Sequence, residues 1–271
     1  PTPTPDPQPT VDPTPAPQPT VDPTPAPQPT VDPTPAPTPD PTPQPRTGQW
    51  KSGYFGWWYS YSDGTYAANE TLVIDGQTYR FDASGYLKMG WVYDGGHWYF
   101  HGSSGAQQYG WIMDRGSWYY LDPATGQMAT GWAQIDGTWF YLSSSGVMRT
   151  GWVKDGGTWY YLDPISGAMA SGWMKVQGAW YYLSSSGAMR TGWVRDGSSW
   201  YYLADSGAMA TGWARIGSSW YHFAPSGAMS TGWLKDGGSW FYLSSSGAMV
   251  TGARWIDGTR YVFDDEGRLQ E

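Results

Sequence analysis

GWVKDGGTWYYLDPISGAMA, residues 151–170, is one copy of a unit that recurs through most of the chain. Two short runs of strand-favouring residues, GWVK and TWYYL, flank a stretch rich in Asp and Gly. Asp-Gly and Gly-Gly pairs readily adopt the positive φ of a tight hairpin turn, so each unit is predicted to be a β-hairpin. The turns are expected at Asp136-Gly137, Asp155-Gly156, Asp196-Gly197 and Asp236-Gly237.

A Gly-Trp pair recurs every 20 or 21 residues, and a second Trp follows each first Trp after seven residues. The first tryptophans are Trp91, Trp111, Trp132, Trp152, Trp173, Trp193, Trp213 and Trp233. The second tryptophans are Trp98, Trp118, Trp139, Trp159, Trp180, Trp200, Trp220 and Trp240. An isolated hairpin is marginally stable in water, so each unit must pack on its neighbours. The predicted fold is therefore all-β, a solenoid of repeated β-hairpins of about 20 residues each.

Side chains alternate between the two faces of a strand, which predicts the buried face. Trp159 and Tyr161 point to one side of their strand, while Tyr160 and Leu162 point to the other. We expect the Tyr/Leu face to lie in the interior of the stack. The Leu position recurs as Leu121, Leu142, Leu162, Leu183, Leu203 and Leu243, with Phe223 filling it once.

The composition excludes several classes of protein. Of 271 residues, 18% are aromatic and 14% charged, and there is no Cys, which argues against an ordinary enzyme domain, a coiled coil or a disulfide scaffold. The net charge of −8 offers no basic surface for nucleic acid. No apolar run approaches the ~20 residues of a membrane-spanning helix.

Proline and glycine divide the chain into segments. Residues 1–45 hold 20 of the 23 prolines, and all 37 glycines lie at or after Gly48. Residues 1–47 are therefore predicted to be a disordered, proline-rich spacer of polyproline II character. We expect degenerate N-terminal capping repeats in 48–90, the regular hairpins in 91–252 and a C-terminal capping hairpin in 253–271. The start at Pro1 predicts a portion of a longer protein, in which a catalytic domain could lie upstream.

The regular aromatic residues indicate binding rather than catalysis. A single hairpin has too little partner surface to bury three large rings, so part of each indole should stay open between units. Open aromatic clefts suit flat sugar faces or organic cations, and a Met precedes most of the Gly-Trp pairs as a polarizable wall. Those methionines are Met128, Met148, Met169, Met189, Met209 and Met229. His97, His101 and His222 lack metal-ligand spacing, no nucleophile–base pair stands out, and we expect no metal, no cofactor and no enzyme activity.

The units GWVKDGGTWYYLDPISGAMASGW and GWLKDGGSWFYLSSSGAMVTG resemble the choline-binding repeats of Gram-positive surface proteins and their phages. The resemblance covers about residues 48–271. It implies a left-handed β-solenoid that attaches non-catalytically to the cell wall and binds phosphocholine of teichoic or lipoteichoic acid between consecutive hairpins. It also implies secretion to the bacterial surface, and it leaves a homodimer through terminal repeats open.

In that family, a site takes both tryptophans of one repeat and the third aromatic residue of the next, with Met beside them. Applied to this sequence, the family's pattern implies six sites of three aromatic residues each, with four methionines beside them. They are Trp91/Trp98/Tyr120, Trp111/Trp118/Tyr141, Trp132/Trp139/Tyr161, Trp152/Trp159/Tyr182, Trp173/Trp180/Tyr202 and Trp213/Trp220/Tyr242, with Met148, Met169, Met189 and Met229.

Two further junctions depart from the family's pattern. The one at Trp193 and Trp200 meets His222, and the one at Trp233 and Trp240 meets Val262, so both are expected to bind poorly. The alternative function is glucan or glycan binding, since Ile135-Asp136-Gly137 resembles turns of glucan-binding repeats.

Overall fold

The computed structural model describes residues 47–270, and the polyproline II segment predicted before Thr47 lies outside the described residues. The described residues form two compact units, divided in sequence between Ala170 and Ser171. Within residues 47–270 every element is a β-strand, and each strand pairs with its sequence neighbour in a two-stranded antiparallel sheet. The predicted all-β repeat of hairpins is confirmed.

The strands are short, and most have five residues. In the first unit they are β1 Gly48–Gly53, β2 Gly56–Tyr61, β3 Thr71–Ile74, β4 Gln77–Arg80, β5 Gly90–Asp94, β6 His97–His101, β7 Gly110–Asp114, β8 Ser117–Leu121, β9 Gly131–Ile135, β10 Thr138–Leu142, β11 Gly151–Asp155 and β12 Thr158–Leu162. In the second unit they are β13 Gly172–Val176, β14 Ala179–Leu183, β15 Gly192–Asp196, β16 Ser199–Leu203, β17 Gly212–Ile216, β18 Ser219–Phe223, β19 Gly232–Asp236, β20 Ser239–Leu243, β21 Gly252–Ile256 and β22 Thr259–Phe263.

The strand register corrects several predicted turns. Asp136 and Gly137 form the turn between β9 and β10, with φ of 49° and 79°, as predicted. Asp155, however, pairs with Thr158, so the turn residues are Gly156 and Gly157, and the prediction of Asp155-Gly156 was wrong by one residue. In both hairpins the first strand has five residues, and the turn begins at the sixth. That residue is Asp136 in one hairpin and Gly156 in the other, so the position in the hairpin decides where the turn begins.

The same correction applies to two other predicted turns. Asp196 pairs with Ser199 and Asp236 pairs with Ser239, so both aspartates end a strand instead of forming the turn. Because their side chains are not engaged in turn geometry, they are available for contacts with neighbouring hairpins.

The predicted inward position of the leucines is confirmed. Each of them, together with Phe223, is fully buried. They stand at the last position of the second strand of each hairpin, opposite a glycine such as Gly151. Full burial of a Leu side chain is worth roughly 1.5–3 kcal/mol.

Main-chain hydrogen bonds join consecutive hairpins within each unit. The N–H of Met148, in the loop after β10, donates to the carbonyl of Trp118 in the preceding hairpin at 2.8 Å. The same bond runs from Met128 to Trp98, from Met169 to Trp139, from Met209 to Trp180, from Met229 to Trp200, from Met249 to Trp220 and from Leu269 to Trp240. Each loop therefore anchors its hairpin to the one before it.

Loop glycines receive the methionine side chains of the preceding loop. Gly167 has φ +76°, and a Cβ built on it would lie 2.6 Å from Sδ of Met148. Glycine is therefore required there for both its conformation and its small size. Gly227, Gly247 and Gly267 receive Met209, Met229 and Met249 in the same way.

His101 replaces the buried leucine of the repeat in the hairpin of β5 and β6. It is 1% exposed, its Nδ1 lies 2.9 Å from the carbonyl oxygen of Gly105, and its Nε2 has no hydrogen-bond partner. Burial, together with the positive charges of Arg80 and Lys88, lowers the pKa of His101 below its usual value of 6.5.

The capping roles predicted for residues 48–90 and 253–271 stay predictions. Both ranges form hairpins, β1 to β4 in the first and most of β21 with β22 in the second. Each has its own apolar cluster, around Tyr59 and Phe81 at one end and around Ile256 and Phe263 at the other.

Gly167→Ala should lower the thermal unfolding temperature more than Gly151→Ala. Both glycines have positive φ, which costs an L-residue about 1 kcal/mol. Only Gly167 faces Met148, whereas a Cβ on Gly151 meets nothing within 4 Å. Thermal melts followed by circular dichroism measure the difference, and equal losses in the two variants would contradict the stacking role of Met148.

His101→Leu should make stability less sensitive to acid. The pKa of His101 is lower in the folded chain than in the unfolded one, so unfolding takes up a proton as the pH falls below about 6.5. The wild-type unfolding temperature should therefore drop between pH 7 and pH 5, and the drop should be smaller in His101→Leu. His97→Gln, which alters an exposed histidine, is the control and should retain the wild-type drop.

Candidate functional site

An aromatic cleft lies between consecutive hairpins of each unit. Trp132 of β9 meets Tyr160 of β12 nearly edge-on, with ring centroids 4.7 Å apart and an interplanar angle of 64°. Trp139 belongs to the same hairpin as Trp132, and its carbonyl oxygen accepts the N–H of Met169 at 2.8 Å. Two indoles of one hairpin, one ring of the next and a methionine are thus brought together.

The contact between a first tryptophan and a ring of the next hairpin recurs along the array. The centroid distances lie between 4.7 and 5.0 Å. The pairs are Trp91–Tyr119, Trp111–Phe140, Trp132–Tyr160, Trp173–Tyr201, Trp193–Tyr221, Trp213–Phe241 and Trp233–Tyr261.

The observed grouping differs from the predicted one at the third ring. The ring that contacts Trp91 is Tyr119, while the predicted Tyr120 lies opposite Trp111 in its own hairpin, at 5.1 Å. The same in-hairpin pairing joins Tyr141 to Trp132, Tyr161 to Trp152, Tyr182 to Trp173, Tyr202 to Trp193 and Tyr242 to Trp233. The two-residue turn places each of these rings directly across from the first indole. The triple of Trp152, Trp159 and Tyr182 combines residues of both units and stays a prediction.

The two junctions expected to be poor have an aromatic third ring. Trp193 meets Tyr221 at 4.9 Å, and Trp233 meets Tyr261 at 4.8 Å. His222 instead pairs with Trp213, and its Nδ1 lies 2.9 Å from the hydroxyl of Ser230. Burial lowers the pKa of His222, partly offset by Asp236, so the ring is mostly neutral at pH 7 and does not place a positive charge beside Trp213.

A cavity of about 320 Å³ opens at another junction, beside Trp213 and Trp220. Its aromatic wall consists of Trp213, Trp220 and Phe241, and Met249 completes the apolar lining. Asp265, Glu266 and Arg268, in the loop after β22, form its charged rim. The cavity volume is at the lower end of the range for small-molecule sites.

The four methionines predicted to line the sites lie in the loops between hairpins, and their part in binding stays a prediction. Met148, Met169 and Met229 each donate a main-chain hydrogen bond to the second tryptophan of the preceding hairpin, and the Met189 side chain packs against Gly207. Met249, which lines the cavity, was missed by the sequence analysis. It follows its hairpin at the same spacing as the others, so the repeat pattern was the available signal.

Most of the second tryptophans are exposed, and two of them lie beside a lysine of this chain. Trp159 and Trp220 are 41% and 44% exposed, so neither is a core residue. The ammonium of Lys154 lies 5.7 Å from the ring centroid of Trp159, and Lys235 lies 5.6 Å from that of Trp240. These distances are typical of cation–π contacts.

Arg80 shows the same attraction at the first junction. In the hairpin of β3 and β4, Thr71 occupies the position of the first tryptophan, directly opposite Arg80. The Arg80 guanidinium lies over the ring of Tyr99, 4.9 Å from the centroid, and pairs with Asp94 at 2.9 Å. The ring equivalent to Tyr119 and Tyr160 therefore accepts a cation at this junction.

Aspartates at strand ends form hydrogen bonds with some of the first indoles. Asp155 is one of them, although it was predicted to lie in a turn. Nε1 of Trp132 donates to Oδ2 of Asp155 at 3.1 Å, and the hydroxyl of Tyr141 donates to Oδ1 at 3.5 Å. Burial and the Asp155 carboxylate raise the pKa of Tyr141, which keeps its hydroxyl protonated. The carboxylate thus orients two rings of the preceding hairpin at once.

Other kinds of site find little support in the described part of the chain. No group of three or more His, Cys, Asp or Glu residues in 47–270 is arranged to hold a metal ion. The same residues contain no helix that is long and apolar enough to cross a membrane.

Comparison with known proteins identifies the repeat. The family model described as the choline-binding repeat matches residues 88–130, 129–172, 170–211 and 210–251. A search of curated protein sequences gave no match.

Solved structures of similar fold come from Streptococcus pneumoniae. CbpJ is 33% identical over 83% of this chain and 94% of its own, with a TM-score of 0.65. Choline binding protein F, crystallised in the presence of a peptidoglycan analogue, is 31% identical over 84% of this chain and 100% of its own, with a TM-score of 0.56. The autolysin LytC, in complex with a synthetic peptidoglycan ligand, is 25% identical over 83% of this chain and 52% of its own, with a TM-score of 0.58.

The matched segments each contain two hairpins with their four tryptophans, and together they cover more than half of the chain. The chain therefore belongs to the choline-binding repeat family.

Proposed function

We propose that this chain is a non-catalytic attachment module that binds choline groups of teichoic or lipoteichoic acid and so holds its protein at the bacterial cell wall. The observation that carries the proposal is the cavity between hairpins, walled by Trp213, Trp220, Phe241 and Met249. Membership of the choline-binding repeat family supports it.

The chemistry of the cavity wall favours a quaternary ammonium. Such a cation donates no hydrogen bond through nitrogen, so it gains most from ring faces and polarizable atoms. The positions of Lys154, Lys235 and Arg80 beside the rings of Trp159, Trp240 and Tyr99 support cation binding by these rings. A choline headgroup brings the same charge to the open side of the cleft.

Repetition of the site would compensate for weak single sites. Each cation–π contact contributes roughly 0.5–2 kcal/mol, so one cage should bind choline with a Kd of about 0.1 mM or weaker. A polymer that carries many choline groups engages several junctions of one chain, and the second binding event becomes intramolecular. Firm attachment would then follow from the number of repeats.

Wall glycan is a second candidate ligand. The peptidoglycan ligands in the structures of choline binding protein F and LytC favour it. Aromatic faces also stack on sugar rings, but the cavity offers few uncharged polar side chains to pair with sugar hydroxyls. Elution of the chain from a quaternary-amine resin by free choline, and not by dextran or soluble peptidoglycan fragments, would separate the two ligands.

Trp220→Leu should remove one choline site from the full chain. Trp220 is 44% exposed and lines the cavity, so its loss takes away a ring face without emptying a core position. Isothermal titration with choline should give a stoichiometry lower by one. Trp255→Leu is the matched control, since Trp255 is 71% exposed and lies outside the cavity wall, and it should retain every site. Unchanged stoichiometry in Trp220→Leu would reject this cavity as a choline site.

Phe241→Leu and Tyr242→Leu distinguish the two candidate third rings of this site. Phe241 contacts Trp213 at 4.9 Å, whereas Tyr242 contacts Trp233 at 5.2 Å. Choline titration followed by the indole N–H resonance of Trp220 should show affinity falling roughly tenfold in Phe241→Leu, the loss of one cation–π contact. In Tyr242→Leu, the Trp220 resonance should report the same choline affinity as in the wild type. A loss of affinity in Tyr242→Leu but not in Phe241→Leu would favour the predicted grouping of Trp213 and Trp220 with Tyr242.

A further inference from the structure

The residue that lies 23 or 24 positions after each first tryptophan, and ends a strand, alternates between aspartate and an aliphatic residue. It is the last residue of the first strand of the next hairpin. After Trp91, Trp132, Trp173 and Trp213 it is Asp114, Asp155, Asp196 and Asp236. After Trp111, Trp152, Trp193 and Trp233 it is Ile135, Val176, Ile216 and Ile256. The pattern has a period of two hairpins, the same period as the matched family segments.

Each of the four aspartates accepts a hydrogen bond from the first indole of the preceding hairpin. The donor is Nε1 and the acceptor Oδ2 in all cases, at 2.9 to 3.1 Å. The pairs are Trp91–Asp114, Trp132–Asp155, Trp173–Asp196 and Trp213–Asp236. An aliphatic side chain has no acceptor, so Trp193 cannot form this bond with Ile216.

The two types of junction hold the indoles of one hairpin differently. Where the aliphatic residue follows, the first and second tryptophans meet edge to face, with centroids 6.2 to 6.4 Å apart and interplanar angles of 86° to 90°. These pairs are Trp111–Trp118, Trp152–Trp159, Trp193–Trp200 and Trp233–Trp240. Among the described residues, no such contact joins the two tryptophans where aspartate follows. The cavity at Trp213 and Trp220 belongs to this second type.

The aspartate affects a bound cation in two ways. Its hydrogen bond fixes the first indole, so less side-chain freedom is lost when the cage fills. Its charge also attracts an ammonium on the neighbouring ring face, an interaction that is strongest where solvent is partly excluded. At an aliphatic junction such as Trp193, the indole contacts other rings, among them Trp200 and Tyr221, and an isoleucine stands where the other class has a carboxylate.

We propose that the array carries two alternating classes of cation site, and that Asp114, Asp155, Asp196 and Asp236 are positioning residues that make their class the tighter one. The inference rests on the proposed function, because it assumes that the junctions bind an organic cation. Beyond the proposed function, it predicts that the junctions with aspartate fill before the junctions with an aliphatic residue as the choline concentration rises.

Asp196 and Ile216 allow a test by exchange within one unit. Asp196→Ile removes the acceptor and the charge, Asp196→Asn keeps an acceptor but removes the charge, and Ile216→Asp introduces a carboxylate opposite Trp193. Asp205→Asn is the control for net charge, since Asp205 is an exposed loop residue. All variants are made in the full chain.

The first measurement requires no ligand. The indole N–H resonances of Trp173 and Trp193 are assigned by their loss in Trp173→Phe and Trp193→Phe. In Asp196→Ile, the Trp173 N–H should exchange faster with solvent and move towards the shift of Trp193. In Ile216→Asp, the Trp193 N–H should change in the opposite direction. Unchanged Trp173 exchange in Asp196→Ile would show that the hydrogen bond does not hold the indole and would overturn the proposal.

The second measurement is a choline titration followed by the same resonances. Choline affinity at Trp173 should fall roughly 3- to 10-fold in Asp196→Ile, the range that the net contribution of one ordinary hydrogen bond would give. The fall in Asp196→Asn should be smaller, and affinity at Trp193 should rise in Ile216→Asp. Equal affinities at Trp173 and Trp193 in the wild type would overturn the inference while leaving choline binding intact. Absence of choline binding in the wild type would instead reject the proposed function, with the N–H results still standing.

Discussion

The main-chain hydrogen bond from each loop to the second tryptophan of the preceding hairpin is the contact on which the arrangement within each unit depends. A two-stranded sheet has both strands at an edge and cannot bury its own apolar face. Donation from Met148 to Trp118, and from Met229 to Trp200, sets the rise from one hairpin to the next. That rise brings Trp213 against Phe241 and leaves Trp220 exposed.

The methionine of the loop after each hairpin contributes both to the packing of neighbouring loops and to the lining of the cleft. The Met148 side chain occupies the space that a Cβ on Gly167 would need, so neighbouring loops stack closely. The same loop position supplies Met249 to the cavity at Trp213 and Trp220. One residue type thus sets the spacing of the loops and lines the cleft, and it recurs in the loop after each hairpin from β8 to β20, whereas Gln107 takes its position after β6.

Sequence-based reasoning was accurate where it depended on strand periodicity and inaccurate where it depended on register. Alternation along TWYYL was enough to place Leu162 in the core. The third ring required the pairing across the hairpin, and the one-residue error at Asp155-Gly156 concealed that Asp155 ends a strand. With Asp155 assigned to a turn, its bond to Trp132 could not be foreseen.

By itself, the sequence determined the all-β class, the hairpin period, the buried leucines and the aromatic character of the clefts. These follow from residue spacing and from side-chain alternation, which are local properties of a strand. Only the tertiary structure decided that Tyr160 rather than Tyr161 meets Trp132, and that Asp155 holds that indole. Both depend on how far one hairpin is displaced from the next, and that displacement is set by hydrogen bonds between residues of different hairpins.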